Sequence, residues 1–165
     1  MAECELRIDL ATQQLGLWQR QRLLQSYSVS TAIKGAGELQ GSGATPRGVH
    51  SIRAKIGAGL APNSVLVGRR PTGEIYSEQL RQRYPRRDWI LSRILWLCGC
   101  ERGKNRGGCV DTMRRYIYIH GTPDSEPMGI PASHGCIRMR NHDIIELFDR
   151  VAVSTRVIIE ERACL

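Results

Sequence analysis

Aromatic side chains are scarce in this chain: three Trp, five Tyr and a single Phe. Nucleic-acid binding leans on stacking surfaces and recognisable motifs, and neither is visible, so the net charge of +8 does not make nucleic acid the expected partner. No apolar run approaches the length of a membrane span, so no membrane partner is expected. The opening Met-Ala-Glu-Cys-Glu-Leu-Arg-Ile-Asp-Leu carries acidic residues and lacks the apolar stretch of a secretory signal. The expectation is a cytoplasmic protein, or a periplasmic one if a leader has been trimmed away. There is no internal repeat and no low-complexity linker, and 165 residues suit one domain over 1–165 with its own core. The glycine-rich piece Gly35 to Gly48 lacks the P-loop spacing and reads as a mobile loop near a site.

Six cysteines stand at 4, 98, 100, 109, 136 and 164. Cys98, Cys100 and Cys109 form a C-x-C-x8-C cluster, but a fourth ligand at sensible spacing is missing, so no metal is expected. Free buried thiols in a reducing compartment are the simpler reading. Seven arginines fall between Arg69 and Arg93 and read as a solvated basic face.

What the chain does have is one dense segment. Ile119-His120-Gly121-Thr122 is followed by Ser133-His134-Gly135-Cys136-Ile137-Arg138. A thiol is a strong nucleophile only as thiolate, and a neighbouring imidazole is the usual group that takes its proton. Cys136 as nucleophile and His120 as base therefore propose acyl transfer through a thioester, with no cofactor. Arg115 to His120 is rich in β-branched and aromatic residues and reads as a strand. Alternation places Tyr116, Tyr118 and His120 on one face and Ile117 and Ile119 on the other. Gly135, without a Cβ, permits unusual dihedrals before the nucleophile. The amides of His134, Gly135 and Cys136 are candidate donors to an oxyanion. His134 either contacts substrate or braces the loop. His50 and His142 have no motif support and are expected at the surface.

This pattern resembles the active-site signature of the L,D-transpeptidase catalytic domain, the YkuD-like family that acts on bacterial peptidoglycan peptides. The likeness extends from about Glu5 to Glu160: the strands around Leu6–Leu10, Leu15–Trp18 and Ser26–Thr31, the turn Ala44-Thr45-Pro46-Arg47-Gly48, and Asn105-Arg106-Gly107-Gly108 with Val110-Asp111-Thr112. The resemblance implies that Gly121 orients His120 through its backbone carbonyl. It puts Ser133, His134, Gly135 and Arg138 on motif positions, and Ser133, Tyr118 and Arg138 are taken as substrate contacts, Arg138 for the donor's terminal carboxylate. The implied partner is a murein tetrapeptide stem, cut between its third residue and the terminal D-alanine. Water as acceptor makes an L,D-carboxypeptidase for murein recycling, which an unexported protein favours. An amine acceptor makes an L,D-transpeptidase. A module that binds the peptide without turnover is the remaining alternative, and the oligomeric state is not specified.

The expected architecture is mainly β, an antiparallel β-sandwich with one helix packed by the catalytic loop. That helix is expected over 142–150 with Asn141 as N-cap, and a short one near Ser77 to Arg83. Val49 to Ile56 is expected to alternate, with Ile52, Ala54 and Ile56 on one face. Asp88 to Leu97 fits a strand or a helix, and strand is favoured. Thr155 to Glu160 is a terminal strand.

Overall fold

The structure, a computed structural model, describes residues 3–162. Ten strands make one mixed sheet: β1 (Cys4–Asp9), β2 (Gln14–Gln19), β3 (Arg22–Ser28), β4 (Gly48–Ile56), β5 (Ser64–Val67), β6 (Arg70–Ile75), β7 (Ile90–Gly99), β8 (Tyr118–Thr122), β9 (Ile137–Arg140) and β10 (Arg156–Glu160). The strand order is β3-β2-β1-β10-β4-β7-β5-β6, and β8 leaves this path to pair with both β7 and β9. Most pairings are antiparallel, as expected. Two are parallel, β1 with β10 and β8 with β9. The helices are α1 (Glu78–Arg83), capped by the Ser77 side chain, and α2 (Asn141–Arg150).

The main core lies on one face of the sheet. Leu6, Ile8, Leu15, Leu17, Ile52, Leu95, Leu97, Ile119 and Ile137 pack there against Ile144, Leu147 and Phe148 of α2. Each fully buried aliphatic side chain contributes about 1.5–3 kcal/mol, so this face anchors the fold. A smaller cluster forms on the other face from Leu66, Ile94 and Tyr118, with Ile56, Trp96 and Cys136 packed against it. Cys136 thus sits opposite the main core.

Several local expectations need correction. The β8 strand begins at Tyr118, not Arg115, because Tyr116 is left-handed (φ 56°) and cannot continue a pleat. The predicted faces survive: Ile117 and Ile119 join the main core, while Tyr116 and Tyr118 both pack on Trp96. In β4 the register shifts between Ile52 and Ala54. An extra residue at Arg53 turns the later side chains over. Ile52 faces the main core, whereas Ile56 joins the small cluster. Asn141 is the first residue of α2, not its cap, and Arg140 is the N-cap without a side-chain bond. His50 is fully buried, bonded to Gly48 O (3.0 Å) and Thr112 Oγ1 (2.9 Å), whereas His142 is exposed as expected. The described thiols are free, but Cys100 and Cys109 are exposed and Cys4 and Cys98 half-buried rather than buried. Cys164 lies outside the described residues.

Candidate active site

Parallel pairing of β8 with β9 sets the site. Ile119 lies beside Ile137 and His120 beside Arg138, so Cys136, one residue before β9, comes alongside Tyr118. The Tyr118 amide donates to the Cys136 sulfur at 3.3 Å, and the thiol donates to Tyr116 O at 3.4 Å. Gly135 takes φ 135°, with room for a Cβ only at ordinary contact distances from Ala44 O and Ile117. The glycine is needed there for its dihedral, not for space.

His120 is 1% exposed. Its Nδ1 lies 2.7 Å from Gly121 O, which makes Nδ1 the protonated nitrogen and leaves Nε2 with a lone pair. Burial is the first cause holding this imidazole below its ordinary pKa, with Arg138 adding to it and Gly121 O and Asp88 opposing. Cys136 is half-buried, yet desolvation pushes its thiol up to about 12; Asp88 adds to the rise, and the Tyr118 amide, Arg138 and Arg115 work against it. Among the described residues no hydrogen bond joins the sulfur to the His120 ring. Both shifts favour a neutral thiol beside a neutral imidazole.

The loop carrying Cys136 is braced from within. Ser133 Oγ donates to Cys136 O (2.6 Å) and accepts from the Gly135 amide (3.2 Å). Thr45 Oγ1 donates to Gly135 O (2.9 Å), tying the Gly35–Gly48 segment to the site. Ser133, expected as a substrate contact, is 1% exposed, with its hydroxyl engaged within the loop. The Gly135 amide is spent on Ser133, which leaves the His134 and Cys136 amides as oxyanion candidates. His134 is exposed on the loop, free of the bracing network.

Arg138 is also not an open substrate contact. It is buried, with one guanidinium nitrogen on Ala132 O (3.2 Å) and another on Asp88 (3.2 Å). Its charge is already met by a carboxylate, and a second anion would compete with Asp88. Tyr118 is buried, its hydroxyl accepting from Arg69 (3.1 Å). Its amide contacts the Cys136 sulfur and its phenolic oxygen contacts Arg69.

Beneath Gly121, the Asn141 side chain gathers four partners. It accepts from Ser92 Oγ (2.5 Å) and donates to Thr122 O (2.9 Å) and Asn63 Oδ1 (2.8 Å), with Asp124 at 3.4 Å. A Cβ on Gly121 would strike Leu91 O and come within 2.7 Å of Asn141 Oδ1, so the base is held by backbone packed against this network. Sequence pattern gives Asn141 only the role of a helix cap and gives Asp88 and Arg69 no part in the site; a polar residue directly after Arg-Met-Arg at a helix start is the available signal for Asn141. The arginines between 69 and 93 do not form one solvated face: Arg93 is buried, donating to Leu60 O and Ser92 O, and Arg87 stacks on Tyr84 and Trp89.

A mainly β protein with a loop cysteine just before one strand and a buried, carbonyl-held histidine on the parallel strand beside it has the parts of a cysteine acyl-transfer site. The L,D-transpeptidase catalytic domain model matches residues 5–159, and the chain belongs to that family. It is 40% identical over 64 residues to a putative L,D-transpeptidase YkuD of Bacillus subtilis, covering 36% of this chain and 39% of that one. It is 51% identical over 43 residues to a probable L,D-transpeptidase YbiS of Escherichia coli K12, covering 26% of this chain and 14% of that protein. The matches therefore span well under half the length of these relatives. The fold is that of the L,D-transpeptidase from Xylanimonas cellulosilytica, with TM-score 0.55 at 21% identity over 96% of this chain and 61% of that one.

Proposed function

We propose that this chain transfers acyl groups from peptidoglycan stem peptides through a thioester on Cys136. The observation that carries it is His120: buried, held by Gly121 O through Nδ1, and left with Nε2 as a base on the face that holds Cys136. In the proposed reaction the sulfur attacks the carbonyl of the stem's third residue while its proton passes to His120 Nε2. The C–N bond to D-alanine breaks, and His120 returns the proton to the leaving amine. The amides of His134 and Cys136 are the candidate donors to the charge on the carbonyl oxygen in this reading. An acceptor then attacks the thioester, with His120 as base once more.

Family membership supports transfer to an amine, which gives a cross-link or an exchanged D-amino acid. Water at the same step gives a tripeptide, the L,D-carboxypeptidase outcome. Mass spectrometry of the protein with a murein tetrapeptide, with and without an amine acceptor, tests both. Free D-alanine lost in Cys136→Ala is expected. Amine adduct or dimer identifies a transpeptidase, and tripeptide in the presence of amine identifies a carboxypeptidase. Absence of any Cys136-dependent product overturns the acyl-transfer reading and leaves peptide binding without turnover.

A further inference from the structure

Arg69 occupies the second place of a two-residue turn, Gly68-Arg69, between β5 and β6. Both residues have positive φ, 55° and 64°. Such hairpin turns favour Gly or Asn, and any residue with a Cβ costs about 1 kcal/mol there. The turn brings the guanidinium to the nucleophile's side of the sheet. It lies 5.0 Å from the Trp96 ring centre and 4.7 Å from that of Tyr116, and donates through one terminal nitrogen to the Tyr118 hydroxyl. Among the described residues no carboxylate pairs with it, and its other N–H groups have no protein partner.

These contacts tie Arg69 to the reacting atom. Tyr118 bridges them, with its amide on the Cys136 sulfur and its hydroxyl on the guanidinium. Tyr116 does the same, with its carbonyl accepting from the thiol and its ring under the guanidinium. The cation therefore stands about one tyrosine side chain from the nucleophile. The other arginines near the sulfur are committed. Arg138 is held by Asp88 and Ala132 O, and Arg115 by Gly37 O, Ser42 Oγ and Ala44 O. A guanidinium stacked on its faces keeps its edge free for a planar, bidentate anion.

We infer that Arg69, not Arg138, is the specificity residue that receives a carboxylate of the peptide substrate, one residue's reach from the carbonyl that Cys136 attacks. The inference rests on the acyl-transfer reading above. Two stem groups have this chemistry: the terminal carboxylate of the leaving D-alanine and a side-chain carboxylate on the third residue. Stacking on Trp96 and Tyr116 fixes the guanidinium plane before substrate arrives, so little is lost in ordering it.

The test compares wild type, Arg69→Met, Arg69→Lys and Arg138→Met on three tetrapeptides: one with both carboxylates, one with its C-terminus as the amide, and one whose third residue lacks the side-chain carboxylate. A charge-assisted bidentate contact is worth about 10–100-fold. Wild type is expected to prefer the acid over one of the two analogues by that factor in kcat/KM, and the analogue that loses shows which carboxylate Arg69 takes. Arg69→Met is expected to bring that ratio near one, carried in KM, and Arg69→Lys to restore part of it. Equal losses on all three peptides in Arg69→Met would mark a structural role and overturn the proposal. So would a ratio that collapses in Arg138→Met instead. Calorimetric binding of the same peptides to Cys136→Ala protein, with and without Arg69→Met, separates the two readings. Arg69-dependent binding without wild-type turnover would sink acyl transfer and keep the carboxylate site. Absence of binding together with absence of turnover would overturn both.

Discussion

At the scale of single residues, the site is built to keep its thiol quiet. Burial raises Cys136 to about 12 and holds His120 below its ordinary value, so both effects favour the neutral pair. A thiol raised in this way stays almost entirely protonated at neutral pH, and alkylation follows thiolate. Iodoacetamide at pH 7 is therefore expected to label the exposed Cys100 and Cys109 well before Cys136, as read by peptide mapping at early times. Labelling of Cys136 first would show that the sulfur and the ring form an ion pair at rest. A sequence reading that sees only Cys and His close together predicts the faster thiol; the slower one follows from burial. The lowered His120 pKa has its own consequence. The base is lost only when His120 is protonated, so the acid limb of kcat/KM is expected below pH 6.5 rather than at it. His120→Ala is expected to lower kcat/KM by about 10²–10⁴-fold. An acid limb above pH 7 would contradict the neutral-pair description.

At the scale of elements, β8, β9 and α2 form one unit, and its joint is Asn141. Its side chain ties the start of α2 to β7 through Ser92, to the end of β8 through Thr122 O, and to the loop before β5 through Asn63. Asn141→Ala leaves these buried groups without partners, which costs about 1–3 kcal/mol. Because Gly121 packs on Asn141 and its carbonyl holds His120, the same change is expected to lower kcat as well as the melting temperature. An unchanged kcat with a lowered melting temperature would show that the joint serves stability alone. The segments legible in the sequence from local pattern are the α2 stripe of Ile144, Leu147 and Phe148, the short helix near Ser77 to Arg83, and His120 and Cys136 at their strand and loop ends; the β7 run fits strand or helix by pattern alone. What escaped depends on partners far along the chain. The Arg53 bulge is set by pairing with β7, some forty residues on, and no periodicity within β4 announces it. Asn141 caps in sequence but is pulled inward by Ser92, which sits at φ 70° in the irregular part of β7. Arg138 meets Asp88 only because β9 folds beside the segment that leads into β7.

At the scale of the whole molecule, the large apolar core lies on one face of the sheet and the reactive groups on the other, so acid acts on the two through different residues. His50 is buried where β4 begins, among Gly48 O and Thr112 Oγ1. Burial lowers its pKa from 6.5 to about 4, against the carbonyl of Gly48 and the charge of Glu101, with Lys104 and Arg115 adding to the fall. In the unfolded chain the same imidazole titrates near 6.5. Between these values the unfolded state binds a proton that the folded state refuses, so stability rises with pH across this window. The full contribution is present above pH 6.5 and is lost as pH falls toward 4. The shift corresponds to a loss on the order of 3 kcal/mol. His120 acts with the same sign. Urea unfolding at pH 7, 6, 5 and 4 is therefore expected to show a falling midpoint, and His50→Asn to flatten that fall by about one proton's worth of slope. Should His50→Asn fail to fold, imidazole proton shifts in the wild-type protein give the same answer, with His50 staying neutral to about pH 4. A His50 resonance that titrates near 6.5, or an equal pH slope in variant and wild type, would show that the buried ring does not control acid stability.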